Sequence, residues 1–170
     1  MTALYSAQRA FVATMFEVLG RLIVAGSGDP VVQGELPGFP EGYTIGFSVY
    51  GDTLGFRVAR RGDRFVPAER KGQADLELVF KHVSHAFALA SFQESSAVAY
   101  ANDRFVSHGD IALSMRFMRC MDRIQAVMLP PPISTMALKS VPVIPAAERI
   151  RSAAGTVRDL IRGLIPGSAA

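Results

Sequence analysis

Residues 104–128 constrain the fold of this chain most, because a short strand there turns through Gly109-Asp110 into a long helix that is apolar on more than one side. We expect Asp110 to be the N-cap of that helix. The apolar residues form two stripes at helical spacing: Leu113, Phe117, Cys120, Ile124 and Val127 on one, and Ile111, Met115 and Met118 on the other. Such a helix needs apolar neighbours on several sides, or an apolar ligand beside it.

The preceding sequence predicts one helix followed by a sheet with one buried face. Apolar residues recur at helical spacing from Thr2 to Ala25, and the glycines and prolines of residues 29–42 predict a loop. Gly51-Asp52 is predicted as a two-residue hairpin turn within a meander of strands. The predicted strands cover residues 43–49 and 54–58, a short segment near Phe65, and residues 76–80.

Beyond the sheet, the pattern divides the chain into a domain and an appendage. Short helices are predicted at 84–92 and 94–101, with a brief strand at 104–107. We therefore expect one α+β domain over residues 1–129, with the N-terminal helix included. A proline-rich linker at 130–145 and an amphipathic helix at 146–170 complete the predicted organisation.

Composition and charge exclude several classes of protein. The chain of 170 residues is 49% hydrophobic and 19% charged, which excludes a disordered chain. The charges of residues 1–129 cancel, so the whole excess of +3 lies in residues 130–170, and we expect no binding to nucleic acid. A single cysteine, Cys120, fits a reducing cytoplasm. Since no uncharged stretch approaches the roughly 20 residues of a membrane span, we expect a cytoplasmic protein, peripheral to the inner membrane at most.

Three segments resemble the sterol carrier protein type-two lipid-binding family: Ala74-Asp75-Leu76-Glu77-Leu78, Phe87-Ala88-Leu89-Ala90, and Arg104 to Leu113 with its Gly109-Asp110 pair. The fragments Met121-Asp122-Arg123-Ile124 and Met128-Leu129-Pro130 are similar to a bacterial branch of accessory proteins of ubiquinone biosynthesis. The resemblance implies an α+β fold, in which helices cover a mostly antiparallel five-stranded sheet and enclose an apolar tunnel. It also implies binding of a lipid without chemistry.

The resemblance turns the apolar residues of the helices into candidates for the tunnel wall. A flexible thioether adapts to ligands of different shape, which suits a lipid site. Ordinary core packing is the alternative, because a stripe at helical spacing is more often core. The candidate ligand-binding residues are Phe11, Met15, Phe87, Phe92, Leu113, Met115, Phe117, Met118, Met121 and Met128.

The polar residues predict neither catalysis nor a cofactor. His82 and His85 lie three residues apart, but spacing places no further metal ligand beside them. His108 has no recognisable nucleophile set near it, so a turn residue is the preferred interpretation. We therefore expect no metal, no cofactor, no catalytic residue and no enzyme activity.

The terminal helix is the candidate contact for a membrane or a protein partner. Ile150, Ala154, Val157, Ile161 and Leu164 share a face, and Arg151, Arg158 and Arg162 lie off it. A basic amphipathic helix of this kind can rest in a membrane interface. Packing on its own domain or on a second copy is equally open, so a homodimer is one possible state.

We expect a carrier of a hydrophobic lipid, with an isoprenoid quinone precursor in bacterial ubiquinone biosynthesis as the preferred ligand. A carrier of sterols or fatty acyl chains, including acyl-CoA, is the first alternative. The second is a scaffolding subunit whose apolar groove is filled by another protein.

Overall fold

The structure is a computed structural model that describes residues 2–128 and 144–164. Its helices are α1 (Thr2–Gly26), α2 (Pro30–Glu35), α3 (Val83–Ala90), α4 (Ser96–Ala101), α5 (Ile111–Met128) and α6 (Ala146–Leu164), with a 3₁₀ turn at Leu36–Gly38. Its strands are β1 (Thr44–Val49), β2 (Gly55–Arg61), β3 (Arg64–Pro67), β4 (Leu76–Phe80) and β5 (Phe105–His108). The α+β class predicted from the sequence is confirmed.

The five strands form one sheet in the order β3-β2-β1-β4-β5. Neighbouring strands are antiparallel except β1 and β4, which run parallel with Ile45 opposite Leu76. The sheet is therefore mixed, although most of its pairings are antiparallel as predicted. The predicted meander is wrong at β4. After β3, at the edge of the sheet, the chain crosses to the other side of β1, and β4 pairs there in parallel with β1.

One face of the sheet carries the core, and α1 and α5 pack against it. Phe16 of α1 lies with its ring centroid 6.0 Å from that of Phe80, and Phe117 of α5 lies 5.9 Å from Phe47. Both helices thus contact the inward-pointing residues of the central strands. The predicted N-cap of α5 is confirmed, since the Leu113 amide donates to Asp110 Oδ1 at 3.0 Å.

The predicted loop at residues 29–42 is wrong in its first part, because α2 and the 3₁₀ turn occupy residues 30–38. Asp29 is the N-cap of α2 and accepts a hydrogen bond from the Val31 amide at 2.8 Å. Pro30 stands in the first turn, where the missing amide proton costs nothing. Local capping thus makes a helix from a segment rich in glycine and proline.

The two-residue turn at Gly51-Asp52 is also wrong, since β1 and β2 are joined by a longer loop. Val49 donates to the Leu54 carbonyl at 3.3 Å, which leaves residues 50–53 between the strands. Asp52 accepts from the Leu54 amide and from two nitrogens of Arg9. This carboxylate fastens the loop to the N-terminal half of α1.

Helix α6 packs against the domain and contacts α1 and α5. Arg123 of α5 joins the two regions, since its guanidinium contacts Asp29 at 3.1 Å and Glu148 of α6 at 2.8 Å. The side chains of Arg123 and Asp29 are 10% and 3% exposed. Residues 130–143 of the predicted linker lie outside the described residues, and so does the predicted helix beyond residue 164.

Within the described residues, no single helix is long and apolar enough to cross a bilayer. Residues 3–26 and 30–38 pass that test of length and composition only when taken together, with a bend of 80° between them.

The contacts of Asp29 predict a loss of stability on its replacement. Asp29→Ala removes the cap of α2 and one partner of a buried guanidinium, so we expect the free energy of unfolding to fall by about 3 kcal/mol. Asp29→Asn keeps a capping oxygen and should cost less. Urea unfolding followed by circular dichroism measures both variants, and an Asp29→Ala variant as stable as the wild type would contradict the structure.

The same site predicts an acid-dependent part of the stability. Burial acts to raise the pKa of Asp29, but hydrogen bonds from Arg123, Ser152 and the Val31 amide outweigh it and hold the pKa below its ordinary value of 3.8. A depressed folded-state pKa means that this stabilisation is present above about pH 4 and is lost as the pH falls through the folded-state value. Urea titrations from neutral to acid pH should show a shallower loss for Asp29→Asn.

Candidate apolar-ligand cavity

A cavity of about 240 Å³ lies between the core face of the sheet and helices α1, α3 and α5. The helices supply most of its wall: Met15, Phe16, Val18, Leu19 and Leu22 from α1, Ala86, Leu89 and Ala90 from α3, and Met118, Met121, Ile124, Gln125 and Met128 from α5. The sheet supplies Phe47, Phe80 and Phe105, and the segment between α3 and α5 adds Phe92 and Ser96.

The floor of the cavity is aromatic because three neighbouring strands each turn a phenylalanine inward. Phe47 belongs to β1, Phe80 to β4 and Phe105 to β5, and Phe80 pairs directly with Phe105 across the two strands. The Phe80 and Phe105 centroids are 5.4 Å apart. Because Phe80 packs on Phe105 and all three rings stand on a hydrogen-bonded sheet, they form a rigid surface.

The opposite wall is flexible by composition. Met118, Met121 and Met128 occupy positions of α5 that recur at three and seven residues, so they share one side of the helix. Met15 faces the same space from α1. Each methionine has three rotatable bonds and a polarisable sulfur, which lets the wall adapt to ligands of different width.

The cavity is open to solvent rather than fully enclosed, and Val18, which lines it, is 41% exposed. Among the described residues that line the cavity, the polar side chains are those of Ser96 and Gln125, and both are partly exposed. A hydroxyl and a side-chain amide can bond to a polar head group while an apolar tail lies inside. The cavity therefore has an apolar interior and two polar groups that a ligand can reach from solvent.

Phe92 sits beside the cavity in an unusual backbone conformation. Its φ of 58° lies in the left-handed region, just after the end of α3, where glycine is the usual residue. For a bulky side chain this conformation costs about 1–2 kcal/mol. Phe92 packs against Ala126 of α5, so burial of the ring against that helix offsets this cost.

The structure brings together half of the candidate residues predicted from the sequence. Those that line the cavity are Met15, Phe92, Met118, Met121 and Met128. Phe11 and Phe87 lie outside it and pack edge to face on each other, with centroids 5.2 Å apart. Leu113 packs at the margin of the core, and Met115 is 58% exposed. Whether these residues bind a ligand stays a prediction.

Phe117 is the clearest departure from the predicted wall. It is fully buried and packs between Phe47 and Phe65, whose centroids lie 5.9 and 6.0 Å away. Successive helical residues differ by about 100° in direction, so Phe117 and Met118 face different neighbours. Phe117 belongs to the core and Met118 to the cavity.

The aromatic floor was missing from the sequence-based prediction. Phe47, Phe80 and Phe105 lie at the inward positions of predicted strands, so their alternation was visible in the sequence. The alternation does not predict that β4 pairs with β1 and with β5, and this pairing brings the three rings together. Leu19 and Leu22 were likewise predicted only as part of a helical stripe.

The histidines and the cysteine considered in the sequence analysis occupy a helix cap, a strand end and the core. His82 is the N-cap of α3, where its Nδ1 accepts from the Ser84 amide at 3.2 Å, and His108 is exposed at the end of β5. Burial raises the pKa of the Cys120 thiol to about 12, so it stays protonated at neutral pH. Among the residues that the structure describes, no group of three His, Cys, Asp or Glu side chains is placed to hold a metal ion.

No protein-family model and no curated protein matches this chain. Its structure is similar to one titled "UbiJ-SCP2 Ubiquinone synthesis protein", with a TM-score of 0.46 and 15% identity over 66% of this chain and 94% of the other. It is also similar to the apo form of Sterol Carrier Protein 2 from Yarrowia lipolytica, with a TM-score of 0.39 and 13% identity over 75% of this chain and 95% of the other. Both are structures of the kind that the sequence resemblance names.

The two faces of α5 predict different costs for neighbouring substitutions. Phe117→Ala should lower the free energy of unfolding by about 3–5 kcal/mol, because it empties a closely packed part of the core. Met118→Ala should cost only about 1 kcal/mol, since its side chain already borders open space. Chemical unfolding measures both, and equal costs would show that the helix is rotated relative to this structure.

Proposed function

We propose that this chain is a non-catalytic carrier that holds the apolar part of a lipid in the cavity. The observation that supports this most directly is the cavity itself, whose rigid aromatic floor faces a flexible methionine wall. Apolar cavities of about 150 Å³ are large enough for a small aromatic ligand. A space of about 240 Å³ therefore accommodates part of a lipid tail even before the wall adapts.

The energy of burial is sufficient for such a role. Each methylene group removed from water contributes about 0.8 kcal/mol, so a tail segment of about ten carbons offers roughly 8 kcal/mol before the cost of association. Because the interior offers few polar partners, we expect affinity to follow tail length. Selectivity among head groups would then depend on Gln125 and Ser96.

Within this class we propose an isoprenoid quinone precursor of bacterial ubiquinone biosynthesis as the ligand. The support comes from the sequence, where Met121-Asp122-Arg123-Ile124 and Met128-Leu129-Pro130 resemble the accessory branch of that pathway. The side chains of Met121 and Met128 also line the cavity. A sterol or a fatty acyl ligand is the alternative, because the same wall suits any long apolar tail.

The decisive experiment is organic extraction of the purified full-length protein followed by mass spectrometry. A co-purifying isoprenoid supports the proposal in full, whereas a sterol or an acyl lipid supports the carrier role with the alternative ligand. Titration with polyprenylated phenols, sterols and fatty acids then ranks their affinities. A protein without bound lipid and without measurable affinity for any of them would overturn the carrier role.

A matched pair of substitutions on α5 tests the location of the site. Met118→Trp places a large side chain in the cavity, so we expect the affinity for the extracted lipid to fall by at least about tenfold. Met115→Trp adds the same group three residues earlier, where the side chain is 58% exposed and borders no part of the cavity. We expect Met115→Trp to bind like the wild type.

Fluorescent-lipid displacement measures both affinities, and circular dichroism checks that each variant is folded. Ala90→Phe obstructs the cavity from α3 and provides a second test should Met118→Trp be unstable. Equal affinities of the wild type and both obstructed variants would place the lipid elsewhere on the molecule.

A further inference from the structure

Three bulky apolar residues face solvent in the part of α6 whose side chains the structure describes. Ile150, Val157 and Ile161 are 70%, 43% and 53% exposed, and Ala154 lies exposed between them. We call these four residues the α6 stripe; their spacing of four, three and four residues keeps them on one side of the helix.

Among the residues of α6 whose side chains the structure describes, small and polar ones on the opposite side contact the domain. Thr156 is buried, with 4% of its surface exposed, and Ser152 lies 3.5 Å from the Arg123 guanidinium. At about 100° per residue, these two positions lie roughly opposite the centre of the α6 stripe. The helix is therefore anchored by its polar side, and the side that would normally be buried faces outward.

Positive charge borders the α6 stripe. Arg151 and Arg158 are exposed, and their helical positions lie about 90° from its centre. Arginines at that angle can keep the guanidinium in water while their methylene groups cover apolar surface. The acidic positions of the helix, Glu148 and Asp159, fall on the far side, and Glu148 is bound to Arg123.

We infer that the α6 stripe docks on the surface of an anionic lipid bilayer. Exposed aliphatic side chains enter the boundary between head groups and acyl chains, and the bordering arginines contact the lipid phosphates. A second copy fits less well, because its own stripe offers arginines and no carboxylate at the border. Four side chains also form a much smaller patch than the 20–30 residues per partner of a stable interface. This inference does not depend on which ligand occupies the cavity.

The chain contains no tryptophan, so a single introduced tryptophan reports its own surroundings. Val157→Trp in the full-length protein should show a blue-shifted emission when vesicles of phosphatidylcholine and phosphatidylglycerol are added. Tyr50→Trp is the matched control, since Tyr50 is 79% exposed in the loop beside the N-terminal half of α1. Its emission should not change. A shift of neither reporter, or an equal shift of both, would overturn the inference.

Vesicle co-sedimentation tests the two parts of the surface separately. The triple substitution Ile150→Gln, Val157→Gln and Ile161→Gln should lower binding by at least about tenfold, because three apolar side chains no longer enter the lipid. The pair Tyr50→Gln and Ile111→Gln, both at exposed apolar positions, should bind like the wild type. Equal binding of the triple variant and the wild type would overturn the inference.

Charge removal completes the test. Arg151→Gln with Arg158→Gln should weaken binding several-fold, and added salt should weaken wild-type binding in the same direction. Lys71→Gln with Arg61→Gln removes equal charge from other exposed positions and should have little effect. Binding to pure phosphatidylcholine vesicles as tight as to the mixture would overturn the role of charge.

Two further measurements separate this inference from its alternatives. Light scattering that shows a dimer in the wild type and a monomer in the triple variant would assign the stripe to a contact between copies and overturn the inference. The triple variant should also keep the wild-type affinity for the extracted lipid. A failed carrier proposal is thereby distinguished from a failed membrane proposal.

Discussion

The ion pair between Arg123 and Asp29 fixes the position of α5, and the wall of the cavity depends on that position. The two residues lie far apart in sequence and are both nearly excluded from solvent. Asp29 also caps α2, and Arg123 also binds Glu148 of α6. One guanidinium thus joins the start of α2, the middle of α5 and the start of α6. Because a buried charge without its partner is costly, rotation of α5 about its axis is opposed.

With α5 held in this way, one side of the helix packs in the core and another side lines the cavity. Phe117 closes the core between β1 and β3, while Met118 and Met121 face the space above the aromatic floor. Glu35 adds to this alignment, since it accepts from Arg116 at 2.7 Å and from Arg119 at 3.0 Å. A rigid floor and an oriented but flexible wall explain how a chain of this size keeps an apolar space that its own side chains do not fill.

The strands, the long helices and the Asp110 cap could be predicted from the sequence, because they depend on local periodicity and on hydrogen bonds between near neighbours. The parallel pairing of β1 with β4 could not be predicted in this way, because it depends on contacts between distant segments. Periodicity also does not decide which apolar residues of α5 line a cavity. The sequence predicts Met115, Phe117 and Met118 alike as wall residues, although Met115 points to solvent and Phe117 to the core. Helix α2 was missed because the glycine and proline content of residues 29–42 outweighed the capping signal of Asp29-Pro30.

For the terminal helix, too, periodicity does not predict which side of the helix is buried. Its periodicity revealed an apolar side, and burial of that side against the domain was the expected arrangement for a helix that packs. In the structure Thr156 is buried and Ser152 is half-buried, and the described residues of the apolar side face outward. The proposed carrier role includes exchange of lipid with a membrane. The outward α6 stripe offers a contact for that exchange, and Arg123, which binds Glu148 of α6, lies on the same helix as the methionines of the cavity. The proposed membrane contact and the proposed ligand wall are therefore joined through α5.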